Sequence, residues 1–119
     1  MNLVIQVFPE CEEFQRAAVE AGDVVWNRGL LRRLGLCHGV SGNAYVFLSL
    51  YRAFGGARHV FRARQFARFL HKNARELIAA GDMHGGDHAH SLYEGWAGTA
   101  CLWLDAVKPL DSRFPGFEL

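Results

Sequence analysis

No apolar run in the sequence approaches the roughly 18 residues that a membrane-crossing helix requires. The opening residues Met1 to Phe8 are too few, and lack the basic start, for a secretory signal. Cysteine is scarce: Cys11, Cys37 and Cys101 are an odd number at wide spacing. That argues against a disulfide framework and fits a reducing compartment. An excess of charge is missing as well. Thirteen Lys and Arg face 12 Asp and Glu, for a net charge of +1, and the arginines are scattered from Arg16 to Arg113 instead of forming a stripe. Nothing here selects nucleic acid as a partner. Together these absences predict a soluble, cytoplasmic protein.

What is present is the material for a core. Half of the 119 residues are hydrophobic and 21% are charged, a balance that excludes a disordered chain and suits one domain of modest core. The periodicity is helical throughout, so the fold class is all-α. Met1 to Val7 is an apolar opening with no cap and no evident partner. After Phe8-Pro9-Glu10, residues Phe14, Ala17, Ala18, Ala21, Val24 and Val25 form one stripe at helical spacing. That helix ends near Asn27-Arg28-Gly29, where Gly29 is expected to take a left-handed cap. Leu30 to His38 reads as a loop. Val40 to Phe54 reads as a helix capped by Ser41 or Asn43, apolar on nearly every face and therefore buried between neighbours. A third helix runs from about Ala57 to Ala80, with Arg58, Arg62, Arg68, Lys72, Arg75 and Glu76 mostly outward. Gly81 to Ser91 is a loop rich in His, Gly and Asp. The last helix starts near Trp96 and stops at Lys108-Pro109, leaving Asp111 to Leu119 as an irregular tail.

One phrase occurs twice. Cys37-His38-Gly39-Val-Ser-Gly42-Asn-Ala and Tyr93-Glu94-Gly95-Trp-Ala-Gly98-Thr-Ala are in register, each opening an apolar helix. The order is outer helix, Gly-x-x-Gly turn, inner helix, repeated at about fifty residues, which implies stacked helix pairs. Two such pairs are too few to bury two all-apolar inner helices, so the chain is expected to be part of a larger array.

Chemistry concentrates at the first copy. Cys37 and His38 set a soft thiolate beside an imidazole, the ligand types zinc favours; taken alone, the pair also suits a structural turn. Arg32 and Arg33 just before it suit either a solvated loop or an anion contact. His84, His88 and His90 have spacing that invites a second metal, but Gly85-Gly86 leaves the loop loose, and a polar surface loop is the better expectation. Glu94 reads as a helix-start charge favoured by the macrodipole. Cys11 and Cys101 read as small buried hydrophobes.

The long motif Gly29-Leu-Leu-Arg-Arg-Leu-Gly-Leu-Cys37-His38-Gly39-Val-Ser-Gly42-Asn43-Ala-Tyr-Val-Phe-Leu resembles the signature of LanC-like proteins, eukaryotic relatives of the bacterial lanthionine cyclases. So do Ser91-Leu-Tyr-Glu-Gly-Trp-Ala-Gly98 and the ending Arg113-Phe-Pro-Gly-Phe-Glu-Leu119, while Met83-His-Gly-Gly-Asp87 is similar to plant members. The resemblance implies an α/α toroid of seven inner helices wrapped by outer ones, with residues 1–119 as its last two repeats. It implies a zinc site of two cysteines and one histidine. Cys37 and His38 are the adjacent pair, and the other cysteine belongs to an upstream repeat. It implies glutathione as a ligand, with Arg33 (or Arg32) meeting a carboxylate, His84 and Asp87 in a contacting loop, and Arg113 and Glu118 helping to place substrate. The activity implied is zinc-dependent addition of a thiol to dehydrated Ser or Thr residues of a peptide or protein. The alternatives are a non-catalytic signalling or membrane-peripheral adaptor, and an inactive truncated fragment.

Overall fold

A computed structural model describes residues 2–118, with side chains from residue 5 onward. Five α-helices follow one another: α1 (Asn2–Val7), α2 (Glu12–Arg28), α3 (Val40–Phe54), α4 (Ala57–Ala80) and α5 (Trp96–Val107). A short 3-10 turn at Pro109–Asp111 comes after α5. The all-α expectation holds: no strand occurs among the described residues, and the outer/inner alternation of an α/α toroid is visible in α2 to α5. No helix is long and apolar enough to cross a membrane among the residues described.

The burial pattern follows the sequence periodicity. In α3, Val40, Ala44, Tyr45, Phe47, Leu48 and Leu50 are all buried, because α4 covers one flank and α1, α2 and α5 cover the others. α3 is thus largely covered by helices of the chain itself. The apolar opening also has partners, since α1 packs on α2 and α3 and buries Ile5. α5 is the inner helix left open. Its Leu104 is 74% and Val107 73% exposed, beside Leu110 on the turn that follows.

Helix ends depart from expectation in informative ways. Gly29 is extended (φ −59°, ψ 130°) rather than left-handed; a Cβ there would strike the carbonyl oxygen of Val25, so close approach is what glycine provides. The N-cap of α3 is Gly39, with no side-chain cap. Ser41 instead bonds Thr99 across the core at 2.9 Å, and the Asn43 amide donates to the Leu30 carbonyl at 3.2 Å. A left-handed glycine does close α4, where Gly81 (φ 80°, ψ 7°) lets its own amide reach Ile78 and the Asp82 amide reach Leu77.

Arg62, expected outward, lies only 8% exposed. Its guanidinium sits 5.1 Å above the Trp26 ring and 5.7 Å from that of Phe47, and donates to Asp23 at 2.6 Å. Trp26 stands edge-on to Phe66, which stacks on Phe47 at 5.8 Å. Arginine is placed there because its flat cation can lie on aromatic faces while an anion satisfies its edge. The cluster ties α2, α3 and α4 together, and the Arg62 hydrogen bond holds the Asp23 carboxyl below its ordinary pKa.

The tail from Ser112 to Glu118 is fastened by Glu118. That carboxylate accepts from Arg52 at 2.7 Å, from the Phe114 amide at 2.6 Å and from Gln6 at 2.7 Å. Burial pushes its pKa up, but the bonds from Arg52, Phe114 and Gln6 outweigh burial and the net shift is downward. A lowered native pKa contributes stability that is present above the unfolded value and is lost as pH falls through the native one. Replacing Phe47 with Ala should cost roughly 3–5 kcal/mol by urea unfolding. Glu118→Gln should lower the melting temperature at neutral pH, and the gap from the parent protein should close in acid below the ordinary glutamate range; a gap that is constant with pH would remove the ionised carboxylate from this account.

Candidate functional site

In the segment leading into α3, buried and exposed residues come in short blocks. Leu34 and Leu36 point into the core and are buried, while Cys37 and His38 remain exposed at the mouth of the turn. Backbone bonds lock the turn. The Val40 amide donates to the Arg33 carbonyl at 2.9 Å, and the Cys37 amide donates to the Tyr93 carbonyl, also at 2.9 Å. The second bond comes from the other glycine turn, which stands directly against the first. A Cβ on Gly35 would collide with the Tyr93 carbonyl oxygen and lie 2.7 Å from Glu94 Cα. One on Gly98 would lie 2.7 Å from the Leu36 side chain. Both turns start their helices from an extended glycine, Gly39 at φ −130° and Gly95 at φ −119°.

Cys37 Sγ lies 3.8 Å from His38 Nε2. A zinc ion about 2.3 Å from sulfur and about 2.0 Å from nitrogen in tetrahedral geometry separates its two ligands by roughly 3.6 Å. The pair therefore fits two corners of one zinc with little adjustment. Among the described residues no third His, Cys, Asp or Glu completes the group. Cys11 and Cys101 are half-buried free thiols outside the turn.

A crevice opens beside the pair, lined by Arg33, Gly35, His38, His84, Gly86, Tyr93 and Glu94. Arg33 and His84 are brought together by a short parallel bridge: the His84 amide donates to the Arg32 carbonyl at 2.8 Å, and the Leu34 amide donates to the His84 carbonyl at 3.2 Å. Arg32 is exposed too, but Arg33 is the one that lines the crevice. His84 Nδ1 accepts from the Gly86 amide at 3.0 Å, so the neutral ring carries its proton on Nε2, 3.6 Å from Asp87 Oδ1. The loose Gly85-Gly86 loop of the sequence reading is thus a hydrogen-bonded one. Gly86 adopts φ 93° there, with Glu94 backbone packed so closely that a side chain would not fit. His88 and His90 are exposed and do not line the crevice.

Arg113 and Glu118 lie elsewhere. Arg113 donates to the carbonyls of Ser112 and Leu110, and the Glu118 carboxylate is held by Arg52, Gln6 and the Phe114 amide. Neither lines the crevice beside the Cys37–His38 turn. The tail reaches the site through Tyr93 instead, whose hydroxyl donates to the Pro115 carbonyl at 3.1 Å and whose ring meets Phe117.

Glu94 is the residue whose place the sequence reading missed. It precedes the N-cap, its amide is tied to Ser91 Oγ, and it lines the crevice; its Oε2 is buried without a hydrogen-bond partner. The signal was available in the register of the two turns: Glu94 stands immediately before Gly95 as His38 stands before Gly39.

The chain matches the family described as lanthionine synthetase C-like protein over residues 2–119. It is 49% identical over 114 residues to the LanC-like protein GCL1 of Arabidopsis thaliana, covering 96% of this chain and 26% of that relative. It is 37% identical over 123 residues to the glutathione S-transferase LANCL1 of Danio rerio, covering 98% of this chain and 28% of that one. The chain thus spans about a quarter of the length of these relatives.

Because the two turns meet backbone to backbone, Gly35→Ala is expected to cost roughly 1–3 kcal/mol in chemical unfolding and to speed amide exchange at Cys37. Unchanged exchange at Cys37 would show that the Tyr93 contact does not hold the turn.

Proposed function

Since the chain belongs to the lanthionine synthetase C-like family, we propose that the Cys37–His38 turn supplies two ligands of a zinc centre and that the crevice beside it receives a thiol, glutathione in the first instance. The observation that carries this reading is the 3.8 Å separation of Cys37 Sγ and His38 Nε2 on a locked turn, next to a crevice with a cation at its rim. The name of the zebrafish relative supports glutathione as the thiol. The third ligand would come from outside the residues described, in keeping with a chain that spans a quarter of its relatives.

Zinc, when bound, supplies the positive charge that lowers the pKa of a coordinated thiol so that thiolate is present at neutral pH. The chain's own residues do the remaining work. Arg33 makes no ion pair among the described residues and would pair with a ligand carboxylate through its planar fork. His84, with its proton on Nε2 beside Asp87, would donate to the ligand or to its acceptor; Asp87, 74% exposed, would accept from an ammonium group. The addition proposed is to a dehydrated Ser or Thr residue of a peptide or protein. The sulfur bonds to the β-carbon, the double bond is consumed, and a proton is delivered to the α-carbon.

Metal analysis of the full-length protein is expected to give about one zinc per chain, with the content falling sharply in Cys37→Ala. Zinc that is absent from the parent protein, or unchanged in the variant, would sink the assignment. Partner binding that persists in Cys37→Ala would favour the non-catalytic adaptor. Arg33→Ala should weaken glutathione binding by roughly 1–3 kcal/mol in titration calorimetry; equal affinity would reject the carboxylate contact.

A further inference from the structure

The cations of the chain are scattered along the sequence but gathered by the fold. Six of the 13 Lys and Arg lie on α4, with one of the 12 Asp and Glu. α4 therefore carries a charge of +5, and the other residues together carry −4. Two of the six have a partner, since Arg58 and Arg62 both meet Asp23. The other four, Arg64, Arg68, Lys72 and Arg75, are exposed and make no ion pair among the described residues. At 3.6 residues per turn they fall within about a quarter of the helix circumference, as a ridge about 16 Å long. Glu76, the one acid of α4, stands at its edge. Arg64, Arg68 and Lys72 are spaced four apart, so each repels the next. An anionic partner relieves that repulsion.

The ridge leads to the crevice. Gly81 closes α4, and the Asp82 and Met83 amides turn back to the Leu77 carbonyl at 2.8 and 3.1 Å. Met83 is buried, which anchors the loop, and His84 follows it into the crevice wall. A chain entering the crevice past His84 can therefore continue along α4. An extended peptide covers the roughly 24 Å from the end of α4 back to Arg64 with about seven residues. Asp82 and Asp87 are exposed in the loop, so acidic residues are disfavoured beside the crevice and favoured on the helix.

We infer that the outer face of α4 is a docking surface for an acidic segment of the protein substrate, set a few residues away from the one that reacts. This extends the reading given above and rests on it for the identity of the partner. An anionic bilayer is gripped by apolar side chains beside the cations, and single-stranded nucleic acid by aromatic ones. From Arg64 to Arg75 the exposed positions hold only the four cations and His71, whose ring already meets Trp103. Such a ridge matches carboxylates by charge and offers little else to hold.

The test uses the full-length protein and two labelled peptides, read by fluorescence anisotropy. One carries a block of glutamates a few residues from a dehydroalanine, and its twin has glutamine at each glutamate. The parent protein should bind the glutamate peptide about tenfold more tightly at an ionic strength of about 0.05 M, and the preference should fade near about 0.5 M. Arg68→Glu combined with Lys72→Glu should abolish the preference, with zinc content and melting temperature unchanged. Arg16→Glu combined with Arg28→Glu changes net charge equally, at exposed positions of α2, and should keep it. Equal affinity of the parent protein for both peptides would overturn the inference. So would equal loss in the two double variants, which would make net charge the whole effect. Binding to phosphatidylserine vesicles or to single-stranded RNA that the α4 variant loses, while the peptides bind alike, would give the ridge to a lipid or a nucleic acid and overturn it too. A preserved glutamate preference in a parent protein without zinc would reject the thiol-addition reading and leave the acidic docking surface standing.

Discussion

The approach of two glycine turns is the constraint on which the site depends. Gly35 lies on the backbone of Tyr93 and Glu94, Gly98 lies on Leu36, and the buried Ser41–Thr99 hydrogen bond closes the space between the helix starts. The absence of a Cβ lets each turn present backbone to the other, so the Cys37 amide can reach the Tyr93 carbonyl. That bond sets the Cys37–His38 turn against the turn that carries Tyr93 and Glu94. Hydroxyls take part at the core because each satisfies the other where solvent is excluded.

The helices hold these turns in place from behind. α3 packs against four neighbouring helices, and the Trp26, Phe47, Phe66 and Arg62 cluster joins it to two of them, α2 and α4. Burial of Arg62 is sustained because Asp23 and two aromatic faces replace its lost water. The tail is a second brace. Glu118 ties it to α1 and α3 through Gln6 and Arg52, and Tyr93 links it to the Cys37 turn. A site made of exposed side chains is thus supported by backbone contacts made by buried ones.

Much of this was legible in the residues. Helical periodicity located α3, α4 and α5 closely, because long apolar stripes dominate local preference. The Cys-His pair at a Gly-x-x-Gly turn was legible as a candidate metal-type pair. Local reasoning erred where a side chain's partner lies far along the chain. Arg62 departs from a mostly outward set because its ring partners sit on α2 and α3, and neither Ser41 nor Asn43 caps α3 because Thr99 and the Leu30 carbonyl engage them instead. Gly29 was given a left-handed cap because the nearness of the Val25 carbonyl is not a property of composition.

The sequence by itself determined the helical class, the family resemblance, the thiol and imidazole set side by side at Cys37 and His38 and the cation near them, since these follow from residue identity and spacing. Tertiary structure alone decided which charges share the crevice. Arg33 comes from the loop between α2 and α3, His84 and Glu94 from the loop between α4 and α5, and only the packing of the two loops brings them together. It also decided that Glu118 is spent on the tail while the Glu94 carboxylate keeps a buried, unmatched oxygen, because hydrogen-bond satisfaction depends on neighbours that a one-dimensional pattern does not specify.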